Sequence, residues 1–244
     1  TGQNIDDSDH QYKFDRDPRG EPLLKFQRCI CHFSVDNDVI HMTTRLNGEK
    51  TKFFPYNKTL NNQETISDGY KVDYLWREIL IPTSILDIVE NFVFFTYETE
   101  SIWNDEKKIV IEEKTPILIF PRYHQLDVIK KLREKVLKHG VGENYLIQHT
   151  TGSGKSYEIG WLSFMLINLF KNNGQDRIFD SIIIITDRKV LDKQLQRIVQ
   201  KLENVRGIVQ SINKDSEQLK KALAEGKNII ITTIQKFSVV VKRI

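Results

Sequence analysis

Cysteine is scarce in this chain, and the scarcity is informative. Only Cys29 and Cys31 occur among 244 residues, and two residues apart they cannot bridge easily. A disulfide scaffold is therefore excluded, and a reducing cytoplasmic compartment is expected. No run of about 18 apolar residues appears, so there is no candidate for a membrane span and no membrane partner is expected. A signal-like start is missing too: the chain opens TGQNIDDSDHQ, polar and acidic, without an initiator Met. Together with the apolar ending VVVKRI, this leads us to expect a piece of a longer protein. Internal repeats and low-complexity tracts are absent. An adjacent Asp-Glu pair occurs only at Asp105-Glu106, and not at the end of an apolar strand.

What is present suits a globular chain of one or two domains, with 39% hydrophobic and 28% charged residues. The net charge of +3 hides an asymmetry. Residues 1–120 carry 14 Lys and Arg against 21 Asp and Glu, a net −7. Residues 121–244 carry 22 against 12, a net +10. A basic half fits a polyanionic partner such as nucleic acid, and on charge alone it fits a merely soluble surface equally well.

Residues 1–20 read as polar and turn-like. From Leu23 to Pro55 the pattern is β: LLKFQRCICHFSV, then Asp36-Asn37-Asp38, then VIHMTTRL, an Asn47-Gly48 hairpin turn and TKFFP. Residues 57–70 read as a linker. YLWREIL and ILDIVENFVFF read as helical, with Pro82 and Ser84 marking a break and a restart. EKKIVIEEKTPILIF holds two short strand-like runs. Beyond Pro121 strand and helix alternate. A helix through HQLDVIKKLREKVLK ends at Gly140, the strand NYLIQ leads to a glycine loop, and a helix spans Lys155 to Phe170. SIIIIT and NIIITT are apolar throughout and separated by the helices KVLDKQLQRIVQKL and SEQLKKALAE. Such strands predict a parallel sheet with helices on both faces.

The loop reads His149-Thr150-Thr151-Gly152-Ser153-Gly154-Lys155-Ser156. A strand before and a helix after are the setting a phosphate-binding loop requires. Glycines let the backbone approach phosphate without a Cβ in the way. The N–H groups from Gly152 through Lys155 would converge on the β-phosphate, with Thr151 beside them. Lys155 would reach the β and γ oxygens, and the Ser156 hydroxyl would ligate Mg2+ carried by ATP. The plainer alternative is a glycine turn that only joins a strand to a helix.

With His at its first position, the loop resembles motif I of superfamily 2 helicases and translocases. Upstream, Arg122-Tyr123-His124-Gln125 resembles the adenine-reading Q motif, since a Gln amide can pair with both the N6 donor and the N7 acceptor. Thr186, Asp187 and Arg188 follow an apolar strand and resemble motif Ia; Thr232, Thr233 and Gln235 resemble the next DNA-contacting motif. Taken singly, each of these also reads as an ordinary capped loop.

Together, HTTGSGKS, ITDRKVLDKQ, ITTIQKF and RYHQ resemble the restriction (motor) subunit of type I restriction–modification enzymes. HQYKFDRDPRGEPLLKFQRCICHFSVDNDVIHMTTRLNG and YLWREILIPTSILDIVENF resemble that subunit as well, so the likeness covers nearly the whole chain. It implies an α/β fold: residues 1–58 as the end of a PD-(D/E)xK-type nuclease domain, 59–105 as linker and helical connector, and 106–244 as an incomplete first RecA-like lobe. It also implies ATP and Mg2+ as cofactors. The partners would be double-stranded DNA and the methyltransferase and specificity subunits, and the activity that of an ATP-dependent, DNA-translocating endonuclease. The family's nuclease Glu-x-Lys would precede Thr1. Its Gln-x-x-x-Tyr element is not matched, because Ser8 stands four residues before Tyr12. Its magnesium-handling Asp-Glu would follow Phe237, and the second lobe is absent. ATP binding with little hydrolysis is therefore expected of this chain alone. A truncated, non-catalytic binding module and another superfamily 2 enzyme, such as a type III restriction subunit, remain as alternatives.

Other candidates have plainer readings. Cys29, Cys31, His32 and His41 lack converging metal-ligand spacing and read as strand residues. Asp6, Asp7, Asp9, Asp15 and Asp17 read as a solvated acidic turn. Trp76, Trp103 and Trp161 read as packing.

Overall fold

A computed structural model describes residues 4–59, 62, 69–104, 108–171, 174–187, 189–203 and 207–241. Arg188, Asp105-Glu106 and most of the expected linker lie outside the described residues. The chain divides into two compact units, Thr1–Leu126 and Asp127–Ile244. Among the described residues no helix is long and apolar enough to cross a membrane.

The N-terminal unit opens with a helix where a polar turn was expected. Helix α1 (Ile5–His10) starts because Asn4 accepts from the Asp6 and Asp7 amides while the Asp7 carboxylate accepts from the Asn4 N–H. This reciprocal cap satisfies donors the first turn would otherwise leave orphaned. The helix widens into a π-turn at Gln11–Asp15, so Asp6, Asp7, Asp9 and Asp15 sit on helical backbone rather than in a turn, while Asp17 follows it; all but Asp9 are exposed. Asp9 is paired with His41 at 2.9 Å.

The expected β-rich region is real but shorter. Strands β1 (His32–Val35), β2 (Ile40–Thr43) and β3 (Phe54–Pro55) form an antiparallel sheet in that order. Leu23 and Leu24 belong to a 3-10 turn instead, with Leu23 81% exposed. Asn47-Gly48 does not make a two-residue hairpin. His41 pairs with Pro55, which leaves a long connection closed by Thr51, whose hydroxyl donates to the Gly48 carbonyl at 2.7 Å.

A π-turn (Leu75–Ile79) precedes α2 (Pro82–Asn91), which starts at the proline because the first helical position needs no N–H donor. FVFF, expected to continue this helix, instead caps it at Phe92 and enters β4 (Phe94–Asn104) at Phe94. That strand pairs in one unbroken antiparallel register with β5 (Ile109–Ile119). Tyr56 and Tyr74 anchor the core: the Tyr74 hydroxyl donates to the Tyr56 carbonyl at 2.8 Å, and Tyr123 packs edge-on against both rings. Burial pushes the Cys29 thiol up and the Cys31 thiol well up, and both cysteines are free. Their Sγ atoms lie against the Cys31 and His32 carbonyls. Trp76 and Trp103 are exposed, unlike the buried Trp161, so packing explains only one tryptophan of three.

Helix α3 (Tyr123–His139) ends before Gly140, which has a φ of +72°. The C-terminal unit then builds a parallel sheet in the order β6 (Ile182–Thr186), β8 (Ile229–Thr233), β7 (Val209–Ser211). Strand β8 is central and fully buried. Its Ile229 and Ile231 meet Ile167 of α4 (Lys155–Ile167) and Leu195 and Val199 of α5 (Lys189–Leu202). Ile230 points the other way, to Leu219 and Ala222 of α6 (Ser216–Ala224) and Val240 of α7 (Ile234–Val241). The period-two alternation thus covers the sheet with helices on both faces, as expected.

One expected strand is missing. Tyr145–Gln148 pairs with no strand among the described residues, and Leu146 is 93% exposed. An apolar run becomes a strand only where a neighbour takes up its N–H and C=O groups, and among the described residues β6 pairs with β8 alone.

Candidate functional site

Residues 150–154 form a loop, exposed at Thr150, Thr151 and Gly152 and buried at Ser153, that turns into α4. The turn is made by glycines in the left-handed region: Gly152 at φ +79° and Gly154 at φ +88°, the latter preceding the first residue of α4. Other residues enter that region at a cost, so glycine is required at both positions. The Ser153 N–H donates back to the Thr150 carbonyl at 3.3 Å. A Cβ at Gly152 would meet nothing within 4 Å, so the loop's outer side is open. Ser156, partly buried, occupies the first turn of α4 beside Lys155. Open backbone, a helix N-terminus, one ammonium and one hydroxyl are a donor set that fits a nucleotide phosphate and its Mg2+.

Lys155 does not point idly into solvent. Its Nζ donates to the His149 carbonyl at 2.9 Å and the Thr150 carbonyl at 2.7 Å. His149 is held in turn by Glu158, whose two carboxylate oxygens lie 2.9 and 3.1 Å from Nδ1. Glu158 is 5% exposed. Sequence reading missed Glu158, although a charged residue on the otherwise apolar stretch after the loop was the available signal.

Arg122 and Gln125 belong to the N-terminal unit. Gln125 is buried, and its Oε1 accepts the Arg122 backbone N–H at 2.8 Å, as the third helical residue of α3 reaching back to cap its own start. The Arg122 guanidinium lies over the Phe54 ring, 5.4 Å from its centroid.

The two motif segments after β6 and β8 are brought side by side. Thr186 is in register with Thr233, and the Gln235 amide donates to the Asp187 carbonyl at 3.2 Å. The Thr186 hydroxyl lies within hydrogen-bonding distance of Asp192 and of the Thr232 carbonyl. Thr232 and Thr233 are buried, and Gln235 is exposed. Asp192, a second residue that sequence reading missed, is buried and also accepts from Gln196 at 2.7 Å.

Comparison with known proteins gives a consistent family relationship. Residues 124–243 match the family model of the SWI2/SNF2 ATPase. The chain is 29% identical over 170 residues to a type I restriction enzyme endonuclease subunit (MjaVIIIP) of Methanocaldococcus jannaschii, covering 64% of this chain and 14% of that protein. It is 30% identical over 130 residues to the type I restriction enzyme SsaAORF53P endonuclease subunit of Staphylococcus saprophyticus, covering 53% of this chain and 13% of that protein. The chain thus spans about one seventh of the length of these curated relatives. No solved structure matches it. The resemblance to the restriction subunit of type I enzymes, read from the motifs, is shown by these matches.

Proposed function

From a relative of type I restriction endonuclease subunits with a helicase-like ATPase region, we propose a segment of an ATP-dependent DNA-translocating endonuclease. In this reading residues 106–244 are the beginning of the motor's first RecA-like lobe. Residues 1–58 close a nuclease domain and residues 59–105 connect the two. The proposed partners are double-stranded DNA and the methyltransferase and specificity subunits of the same system, in the cytoplasm.

The observation that carries the reading is the loop itself: two left-handed glycines delivering Lys155 and Ser156 to the start of α4. Bound there, ATP with Mg2+ would supply the free energy for movement. Gly152 through Lys155 would bind its phosphates through backbone N–H groups, Lys155 would neutralise charge and Ser156 would hold the metal. Thr186, Asp187, Arg188 and Gln235 would form the DNA-facing edge, with Thr232 and Thr233 buried behind it.

The test is MgATP binding by calorimetry. The chain should bind, Lys155→Ala should lose at least roughly tenfold in affinity, and turnover should stay negligible with or without duplex DNA. Vigorous hydrolysis that disappears in Lys155→Ala would refute the expectation of an incomplete motor. Equal binding by both proteins would refute the loop assignment.

A further inference from the structure

We propose that Glu158 is a positioning residue for the glycine loop, one that acts through His149 to hold Lys155 in a waiting position until a phosphate takes it over. The inference rests on the nucleotide-binding reading of the loop and deepens it.

Three observations carry it. First, Glu158 is 5% exposed and sits in the first turn of α4. Burying a carboxylate is costly unless a partner compensates, so its place beneath the loop calls for one. His149 is that partner, with Nδ1 at 2.9 and 3.1 Å from the two carboxylate oxygens. Second, the pair joins the two ends of the loop: His149 opens it and Glu158 follows it on the helix. The imidazole thus fixes the position from which the chain departs, while the helix fixes the position at which it arrives. Third, the carbonyls that hold Lys155 are those of His149 and Thr150, at 2.9 and 2.7 Å. The peptide units that receive the lysine are therefore the ones the histidine anchors.

Lys155 is thereby pre-placed over the loop on two neutral acceptors. Phosphate oxygens are charged acceptors and bind an ammonium more strongly than carbonyls do. A nucleotide can thus take the lysine over by exchanging acceptors, without first ordering a flexible side chain. Glu158 touches no ligand in this scheme. It keeps the loop in the shape from which the exchange is short. The arrangement also gives a physical role to histidine at the loop's first position: an imidazole reaches the buried carboxylate, which a glycine there could not do.

The test uses the full 244-residue chain as wild type, Glu158→Ala, Glu158→Gln, His149→Ala and the double variant Glu158→Ala/His149→Ala. Two quantities are read: the 15N NMR signals of the His149 ring, and MgADP affinity by calorimetry. In the wild type and in Glu158→Gln, which keeps an acceptor oxygen, Nδ1 should carry the proton. In Glu158→Ala the ring should shift toward the other tautomer. MgADP affinity should fall about tenfold in Glu158→Ala and in His149→Ala, stay within about threefold in Glu158→Gln, and fall no further in the double variant. If Glu158→Ala does not fold, His149→Ala against Glu158→Gln makes the affinity comparison from the less buried side of the pair, and equal affinity in these two variants overturns the positioning role. An unchanged His149 ring signal in Glu158→Ala overturns the link. A changed signal with unchanged MgADP affinity overturns the positioning role and leaves the nucleotide reading standing. A wild-type chain that binds no MgADP overturns the nucleotide reading and this inference with it.

Discussion

Gly160 lies so close to Leu202 that a Cβ built on the glycine would come within 2.5 Å of the leucine Cδ1. This is where α4 meets α5, with Val199 and Ile198 just beyond. The obstructing atom is the tip of a movable side chain, and alanine favours helix over glycine by about 1 kcal/mol. Gly160→Ala is therefore expected to change stability by less than about 1 kcal/mol. Gly160→Leu, whose bulk cannot be absorbed by rotating one methyl, should cost about 1–3 kcal/mol. Urea unfolding of the three proteins decides; a neutral Gly160→Leu would show that α4 and α5 are not tightly apposed.

Gly154 should tolerate no side chain. At φ +88° an alanine costs about 1–2 kcal/mol in the left-handed region, and the loop can escape only by changing the shape that exposes its amides. Gly154→Ala is expected to weaken MgADP binding about tenfold, as roughly 1.4 kcal/mol of loop distortion would imply. The far-UV spectrum should stay unchanged. Full affinity in this variant would mean that the left-handed turn is not what receives the ligand.

His32 makes the N-terminal unit sensitive to acid. It is 3% exposed, its Nε2 has no hydrogen-bond partner, and burial lowers its pKa below the usual histidine value. The unfolded chain, with histidine near about 6.5, then binds the proton more readily than the folded one. The stability that neutral His32 allows is therefore complete above that pH and is lost as pH falls through it toward the lower folded value. Thermal unfolding at pH 7.5 and 5.5 should show a smaller decline in His32→Leu than in wild type. An equal decline would place the acid sensitivity elsewhere.

Asp192 holds the end of β6. Its carboxylate is within hydrogen-bonding distance of the Thr186 hydroxyl and accepts from Gln196 at 2.7 Å, all at a buried position. Asp192→Ala leaves the buried Gln196 amide short of its acceptor, while the Thr186 hydroxyl keeps the Thr232 carbonyl, and should cost about 1–3 kcal/mol. Asp192→Leu would test whether volume rather than hydrogen bonding matters: equal or greater stability than wild type would remove the network from the account.

The parallel-sheet half of the fold was legible because its strands are apolar without alternation and its breaks carry clear signals. Ile182–Thr186 and Ile229–Thr233 form where expected, and Gly140 and Gly226 both take positive φ after their helices. Short or conditional elements were not legible. Val209–Ser211 is three residues long and becomes a strand only by pairing with β8. The opposite error came at Tyr145–Gln148, where an apolar run carries no information about whether a neighbouring strand is there to receive it. Phe94–Asn104 was hidden because its first apolar residues continue the helical-looking run ILDIVENF without a glycine or proline between them. At the site, the glycines and Lys155 were legible from spacing. Glu158 was marked only as the one charge in the apolar run after the loop, and Asp192 was not marked at all, because an acidic residue in a polar helix becomes distinctive only when folding buries it.

Both of the chain's native thiols, Cys29 and Cys31, lie in the N-terminal unit, and burial holds both pKa values above the ordinary one. Because the thiolate is the reactive form, maleimides at neutral pH should react with them slowly. A single exposed cysteine placed on the C-terminal unit would then be the fast-reacting site in an otherwise native background. A fluorophore could be installed beside the glycine loop without first removing either natural sulfur.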